Sequence, residues 1–254
     1  MLKILAIGNS FSEDATAYLH QISNAGGKDM FVNNMHIGGC SLERHINELE
    51  SNSSAYTLAI NGQNVRSAIL LEELKAYDWD IVTIQQASHF SGVWDSYEPY
   101  ISKLVACIKE NAPNAKIYFH KTWAYEYNST HSGFVKYDKN QEKMHMMISE
   151  CVENVKNTLD IYGIIPSGDV INELRKLPEF DTPNGGQTLC RDGFHMHMLY
   201  GRYAVAATWY ETLLGGDITT NLWLPFERMG LFDQDTLNKI DLIKKTVHEV
   251  VNSK

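Results

Sequence analysis

The segment Leu2-Lys3-Ile4-Leu5-Ala6-Ile7 runs directly into Gly8-Asn9-Ser10-Phe11-Ser12. Its first part is almost continuously apolar, which is typical of a strand buried on both sides of a parallel sheet. The glycine and polar residues that follow predict a tight turn opening a helix. Four more short apolar runs, each followed by a longer amphipathic stretch, repeat this arrangement at residues 31–37, 80–84, 116–119 and 162–165.

The stretches between these runs carry the spacing of amphipathic helices. We predict helices from Ala15 to a stop at Gly26-Gly27, and over residues 66–77, 96–111, 139–160, 201–214 and 235–251. Alternation of strands and helices implies right-handed βαβ units. The sequence therefore predicts one α/β domain over residues 1–254, a three-layer α/β/α sandwich around a central, mostly parallel, five-stranded sheet.

Two segments do not fit the alternation. Residues 55–64 contain the turn signal Asn61-Gly62 and indicate a small hairpin or an excursion. Residues 128–140 are polar and predict a long surface loop, which by its position could cover a site as a lid.

Composition excludes several classes of protein. The 254 residues include 44% hydrophobic and 21% charged residues, with 22 basic and 31 acidic side chains and a net charge of −9. These values exclude disordered, collagen-like and disulfide-scaffold chains and argue against nucleic-acid binding.

No apolar run approaches the ~20 residues of a membrane helix, and the first is too short for a signal peptide. We therefore expect a cytoplasmic protein without a membrane partner, leaving open a leader already removed. Its four cysteines are compatible with free thiols or with two disulfides.

Sites in open α/β sheets form beyond the carboxyl ends of the strands. After the first strand, Ser10 would lie in a strand-to-helix turn, where a serine can act as a nucleophile. The alternative is structural, because Ser10-Phe11-Ser12-Glu13 matches a capping box with Ser10 as the cap and Glu13 bonding back to it. Ser12 could also serve as a cap.

Polar or aromatic residues follow the next three strands. Gly38-Gly39-Cys40-Ser41 could present backbone N–H groups to an oxyanion, or form a turn with Ser41 capping a helix. Gln85 and Gln86 could give an oxyanion hole a side-chain N–H, or bind a loop backbone. Trp123 and Tyr125 could line a pocket and stack on a sugar, or pack at the edge of the core.

The last candidate segment is Cys190-Arg191-Asp192-Gly193-Phe194-His195-Met196-His197. Asp192 and His195 are spaced to share a hydrogen bond that orients the imidazole for proton transfer. Two alternatives remain. Asp192 could pair only with Arg191 or cap a turn, or Asp192, His195 and His197 could be metal ligands, although this spacing is a weak metal signal.

Together these blocks resemble those of the SGNH (GDSL-like) hydrolase superfamily. They occur in the order found in that superfamily and extend over residues 4 to about 214. The chain looks most similar to a poorly characterised bacterial branch with Gly-Asn-Ser-Phe-Ser, Gly-Gly-Cys-Ser-Leu-Glu, Gln-Gln-Ala-Ser and Thr-Trp-Ala-Tyr. Two blocks depart from the family pattern. Asn9 stands where Gly-Asp-Ser is common, and Gln85-Gln86-Ala87-Ser88 replaces Gly-x-Asn-Asp.

The resemblance implies a flavodoxin-like fold and a serine esterase that needs neither a metal nor an organic cofactor. Ser10 resembles the nucleophile, His195 its general base and Asp192 the residue that orients His195. The N–H groups of Ser10 and of Gly39, or its neighbour Gly38, would form the oxyanion hole. A side-chain donor from Gln86, or from Gln85, would complete it.

The implied substrate is a small-molecule or carbohydrate ester of a small acyl group, in particular acetyl. Trp123, Tyr125 and Trp94 would offer stacking surfaces for a sugar. Two rival hypotheses stay open. One is a catalytically inactive SGNH scaffold that binds a glycan or a protein partner, and the other is a metal-dependent hydrolase. The sequence does not indicate an oligomeric state.

Overall fold

The computed structural model describes residues 1–225 and 232–253. The strands within these ranges are β1 (Leu2–Gly8), β2 (Met30–His36), β3 (Tyr56–Ile60), β4 (Gln63–Ala68), β5 (Ile81–Ile84), β6 (Lys116–His120) and β7 (Gly163–Ile165). The α-helices are α1 (Ser10–Thr16), α2 (Leu19–Ala25), α3 (Leu42–Glu50), α4 (Leu70–Ala76), α5 (Tyr100–Asn111), α6 (Gln141–Thr158), α7 (Ser167–Leu174), α8 (Tyr200–Leu214) and α9 (Gln234–Asn252).

These strands form one sheet in the order β4-β3-β2-β1-β5-β6-β7. Five of these strands are parallel to one another and follow the flavodoxin-like order β2-β1-β5-β6-β7. The α/β prediction is confirmed. Helices α3, α4 and α5 contact one another, while α1, α2, α7, α8 and α9 form a second group.

The predicted strand number was wrong, because the sheet has seven strands in the described part of the chain rather than five. The additional pair is an antiparallel hairpin, β3 and β4, which adds to the edge of β2. Its turn is Asn61-Gly62, with φ of +51° and +81°, as a tight hairpin turn requires. Asn61 Oδ1 accepts a hydrogen bond of 3.0 Å from Val32 N and so fixes the hairpin to β2.

The same hairpin explains why the helix predicted over residues 66–77 was wrong at its start. The first five residues of β4 are exposed, so this edge strand lacks the apolar alternation that would identify it. Only residues 70–76 are helical there.

The register brings the carboxyl ends of the parallel strands to one edge of the sheet. Gly8 pairs with His36, and Ile84 is level with both Ile7 and Phe119. The interior between these ends is apolar: in β1, residues 4–7 are at most 1% exposed. The segments that follow the strands therefore meet above a rigid core.

Residues 128–140 were predicted to be a surface loop, and this was only partly correct. A 3₁₀ helix, Ser132–Tyr137, lies within them, and its Phe134 and Tyr137 are fully buried. The segment is thus anchored to the core at two points.

The four cysteines are free thiols. In the part of the chain that the structure describes, no helix combines the length and apolar character needed to cross a membrane.

Candidate active site

Ser10, His195 and Asp192 form a continuous hydrogen-bonded line. Ser10 Oγ lies 2.9 Å from His195 Nε2, and His195 Nδ1 lies 2.7 Å from Asp192 Oδ2. A neutral imidazole that donates from Nδ1 to the carboxylate leaves Nε2 free to accept the serine proton. The His195 side chain is 23% exposed, so solvent and small molecules can reach the line.

Ser10 is the first residue of α1 and does not cap it. The cap is Asn9, whose Oδ1 accepts from Phe11 N at 3.0 Å. The buried hydroxyl of Ser12 instead donates towards Asn9 O and Asn34 Oδ1, each at 2.8 Å. The capping box was therefore a wrong interpretation, and the Ser10 hydroxyl is directed to His195.

A short hairpin carries Asp192 and His195. Its sides meet at the bridge between Cys190 and Met196, and Asp192 Oδ1 accepts from the N–H of His195 at 2.7 Å. At its tip, Gly193 has a φ of +85°, and a Cβ there would lie 2.8 Å from the Ser129 backbone. Only glycine suits this position.

The environment of Asp192 favours its ionised form. Burial raises its pKa, but the hydrogen bonds from the His195 ring and from the N–H groups of His195 and Phe194 outweigh that effect. The net result is a pKa below the ordinary value of an aspartate. Asp192 is therefore charged at neutral pH and suited to hold His195 in one tautomer.

Asp14 is a buried support that sequence reasoning missed. Its carboxylate receives Arg191 Nη1 at 2.9 Å, Arg202 Nε at 2.7 Å and Met196 N at 2.8 Å. Arg191 therefore pairs with Asp14, and the alternative that it pairs with Asp192 was wrong. An acidic residue one helical turn after a candidate nucleophile was the available signal.

Glu126 holds the opposite side of the same hairpin. It is 2% exposed and accepts from Leu189 N at 3.0 Å and from Cys190 N at 3.2 Å. Arg175 lies 3.8 Å away and balances the buried charge. The carboxylates of Asp14 and Glu126 thus fix the two sides of the hairpin that carries His195.

A chain of buried side chains runs from Ser167 to the turn beside Ser10. Ser167 Oγ donates to His120 Nε2 at 2.9 Å, and His120 Nδ1 donates to Gln85 Oε1 at 2.8 Å. Gln85 Nε2 then donates to Asn9 Oδ1 at 2.8 Å, and Asn9 Nδ2 donates to Cys40 O at 3.1 Å. Burial lowers the pKa of His120 to about 3, so its ring stays neutral as this direction requires.

Neither glutamine is placed as predicted for an oxyanion donor. Gln85 is 1% exposed, and its amide belongs to the buried chain. Gln86 Nε2 donates to both Ser96 O and Ser96 Oγ at 3.0 Å, while its Oε1 accepts from Leu42 N. The two N–H groups of Gln86 thus have acceptors, and the Gln85 amide is buried with its nitrogen already donating to Asn9. A buried amide held in this way is unsuited to bind a ligand oxygen.

The turn between β2 and α3 exposes Gly38 and Gly39. Gly39 has a φ of +64°, and a Cβ at this position would meet no atom within 4 Å. Within residues 1–225 and 232–253, the N–H groups of Ser10, Gly38 and Gly39 have no intramolecular acceptor. Ser41 caps α3, accepting from Arg44 N at 3.2 Å.

The two aromatic residues expected to contact substrate are part of the core. Trp123 and Tyr125 are both 0% exposed, because each packs inward against aromatic neighbours. Trp123 stacks on Phe11 at 4.1 Å and donates from Nε1 to Phe194 O at 2.7 Å. It therefore braces the residues beside Ser10 and His195 and offers no stacking face. Trp94 is half-buried.

The His197 ring does not join Asp192 and His195. Its Nδ1 accepts from Leu199 N and Tyr200 N at 3.3 and 3.4 Å, at the start of α8. Among the described residues, three metal-ligating side chains come together elsewhere, at Glu211, Asp217 and His248. The metal hypothesis for the Asp192 segment therefore has no geometric support.

A family model and a solved structure both match most of the chain. The model of a family described as "Domain of unknown function (DUF4886)" matches residues 3–230. A DUF4886 family protein from Bacteroides uniformis is 36% identical, with 99% of this chain and 95% of that chain covered and a TM-score of 0.88. A search of curated proteins finds no relative.

Two further solved structures are similar at lower identity. They are an acetylxylan esterase from Geobacillus stearothermophilus and a family 3 carbohydrate esterase from Clostridium thermocellum. The identities are 15% and 14%, and each match covers 83% of this chain. It covers 93% and 94% of the other chain, with a TM-score of 0.49 for both.

Proposed function

The chain belongs to the DUF4886 family, and from the geometry of its site we propose that it is a serine esterase of the SGNH (GDSL-like) type. Its substrate is a small-acyl ester, acetyl in the first instance, on a carbohydrate hydroxyl. The observation that carries this proposal is the line from Ser10 Oγ through His195 to Asp192, with distances of 2.9 and 2.7 Å. This is the order of groups that activates a serine for acyl transfer.

The reaction proceeds in two steps. His195 Nε2 takes the proton of Ser10 as Oγ attacks the ester carbonyl, and the charge of Asp192 stabilises the resulting imidazolium. The carbon–oxygen bond to the alcohol breaks, His195 returns the proton to that oxygen, and the acyl group remains on Ser10. Water, deprotonated by His195, then attacks the acyl carbon. The bond from that carbon to Oγ breaks, His195 returns the proton to Oγ, and the acid leaves the free serine.

Two backbone donors serve the developing oxyanion in this proposal. The N–H groups of Ser10 and Gly39 have no intramolecular acceptor in the described chain, and Gly39 is exposed. Losing one such donor typically costs about 3 kcal/mol of transition-state stabilisation. Because both glutamine amides already donate to protein acceptors, neither binds the oxyanion in this mechanism.

The test is the intact mass of the protein after exposure to a fluorophosphonate. We expect a single adduct on the wild type and none on Ser10→Ala. Ser51→Ala is the matched control, because Ser51 is exposed and its Oγ bonds only within α3, and it should be labelled like the wild type. An unlabelled wild type that is folded would overturn the esterase and favour the inactive scaffold.

A further inference from the structure

Three partly exposed rings form a row that begins beside His195, on segments that follow different strands. Phe194 lies next to His195, with ring centroids 4.3 Å apart, and His131 lies 4.8 Å from Phe194. His89 lies 5.8 Å from His131 in a stacked arrangement. We call these three residues, His89, His131 and Phe194, the aromatic rim. It extends from the candidate general base, His195, to His89.

The rim presents hydrogen-bonding atoms as well as ring faces. His131 Nδ1 accepts from Gly133 N at 3.0 Å, so a neutral His131 carries its proton on Nε2. Within the described ranges, that Nε2 has no protein partner, and neither ring nitrogen of His89 has one. Three nitrogen atoms are thus available to a ligand, together with the partly exposed ring of Phe194.

The rim residues are held in position by packing against buried neighbours. The fully buried ring of Tyr125 packs behind it, 4.8 Å from His131 and 5.5 Å from Phe194. Tyr125 also hydrogen-bonds Ser88, the neighbour of His89, at 2.8 Å. Gly133 allows close packing there, since a Cβ on it would lie 2.4 Å from the Cβ of His89. Tyr125 therefore packs against two rim residues and holds the neighbour of the third.

The two rim histidines are neutral near neutral pH. Burial lowers the pKa of His89, with the charges of His131 and Lys136 acting in the same direction. Burial lowers the pKa of His131 as well, and His195 adds to that effect while Asp192 opposes it. Neutral donors and acceptors beside aromatic faces suit a ligand with many hydroxyl groups and apolar C–H faces, rather than an anion.

We propose that the aromatic rim binds the alcohol part of the substrate and that this part is a carbohydrate ring, seated against Phe194 and hydrogen-bonded by His131 and His89. The assignment rests on the proposed ester hydrolysis at Ser10. It gives the sugar-binding role, expected at first for Trp123 and Tyr125, to residues that a ligand can reach. Tyr125 then acts as the support behind the binding surface.

The test compares binding and turnover in variants of the whole chain. His131→Asn removes the ring and its Nε2–H but retains an acceptor for the N–H of Gly133. In a Ser10→Ala background, we expect His131→Asn to raise the Kd for 6-O-acetylglucose about tenfold or more. In the active protein, the ratio of kcat/KM for 6-O-acetylglucose to kcat/KM for 4-nitrophenyl acetate should fall by a similar factor. Tyr162→Leu is the control, since Tyr162 is 60% exposed at the opposite edge of the sheet.

The outcomes separate the rim from the reaction. Unchanged binding in the His131→Asn variant, or an equal loss of turnover on both esters, would overturn the rim. Labelling of Ser10 and cleavage of 4-nitrophenyl acetate, with no binding of 6-O-acetylglucose to Ser10→Ala, would also overturn the rim and leave the esterase standing. Binding of the sugar that depends on His131, with Ser10 unlabelled and neither ester cleaved, would support the rim and refute the esterase.

Discussion

Asp14 lies one helical turn after Ser10 on α1, and its buried carboxylate bonds Met196 N, the residue next to His195. The candidate nucleophile and the support of its general base are therefore parts of one seven-residue helix. This arrangement couples the position of the histidine hairpin to that of the serine.

Replacing Asp14 by Asn should weaken that coupling. An amide retains an acceptor for Met196 N but loses the charge that pairs with Arg191 and Arg202. Breaking a buried pair costs about 3 kcal/mol of unfolding free energy, and kcat should fall about tenfold as the hairpin shifts. Urea denaturation and turnover of 4-nitrophenyl acetate measure the two effects. Asp160→Asn is the control, because the Asp160 side chain is 94% exposed where it pairs with Lys109. This substitution should change neither stability nor turnover. Equal losses in both variants would refute this role of Asp14.

Stability should fall steeply in acid because two histidines are buried as neutral rings. Burial lowers the pKa of His120 to about 3 and that of His45, next to Arg44, also to about 3. The unfolded chain binds these protons at about pH 6.5, so between the two values it holds more protons than the folded chain. The unfolding free energy should therefore decrease as the pH falls below about 6.5, by about 1.4 kcal/mol per pH unit for each histidine.

His120→Gln should remove one of these protons. Urea denaturation between pH 5.5 and pH 4 should show a slope about 1.4 kcal/mol per pH unit shallower than in the wild type. His248→Gln is the control: its hydrogen bond with Glu211 raises its pKa, so His248 is charged in both the folded and the unfolded chain over this range. An unchanged slope in His120→Gln would contradict a neutral, buried His120.

Site residues that belong to local sequence patterns were recognisable from the sequence, whereas those defined by contacts between distant residues were not. Ser10 was recognisable from a strand-to-helix turn, and the pairing of Asp192 with His195 from a spacing of three residues. Asp14 was missed because its partner Arg191 lies 177 residues away, and no local pattern predicts such a pair. Trp123 was misplaced because an aromatic residue after a strand can turn inward or outward, and only packing decides the direction.

Asn9 should not tolerate replacement by Asp, although Gly-Asp-Ser is common in the superfamily that the chain resembles. Asn9 accepts from Phe11 N and Gln85 Nε2 and donates to Cys40 O. A carboxylate cannot donate, and at 2% exposure it would be a buried charge facing a carbonyl. We expect Asn9→Asp to lose about 2 kcal/mol of unfolding free energy and to lower kcat.

The matched control for Asn9 is Asn140→Asp. Asn140 caps α6 at the surface by accepting from Lys143 N at 2.9 Å, and aspartate caps a helix as well as asparagine does. Urea denaturation should show a change below about 0.5 kcal/mol for Asn140→Asp. A loss as small as this in Asn9→Asp would show that the donated bond to Cys40 is dispensable.

Gly39 and Gly27 allow backbone strain to be separated from catalysis. Their φ angles are +64° and +67°, and a Cβ on either residue would meet no atom within 4 Å. Substitution by Ala should therefore cost each variant about 1 kcal/mol of unfolding free energy through strain alone.

Only Gly39 carries an N–H that we assign to the oxyanion. Gly39→Ala should thus also lower kcat about tenfold on 4-nitrophenyl acetate, because strain displaces a donor whose full removal costs about 10²-fold or more. Gly27→Ala should keep the wild-type kcat. If the two variants lose stability equally and neither loses activity, the oxyanion donor lies elsewhere on the turn, with Gly38 as the next residue to test.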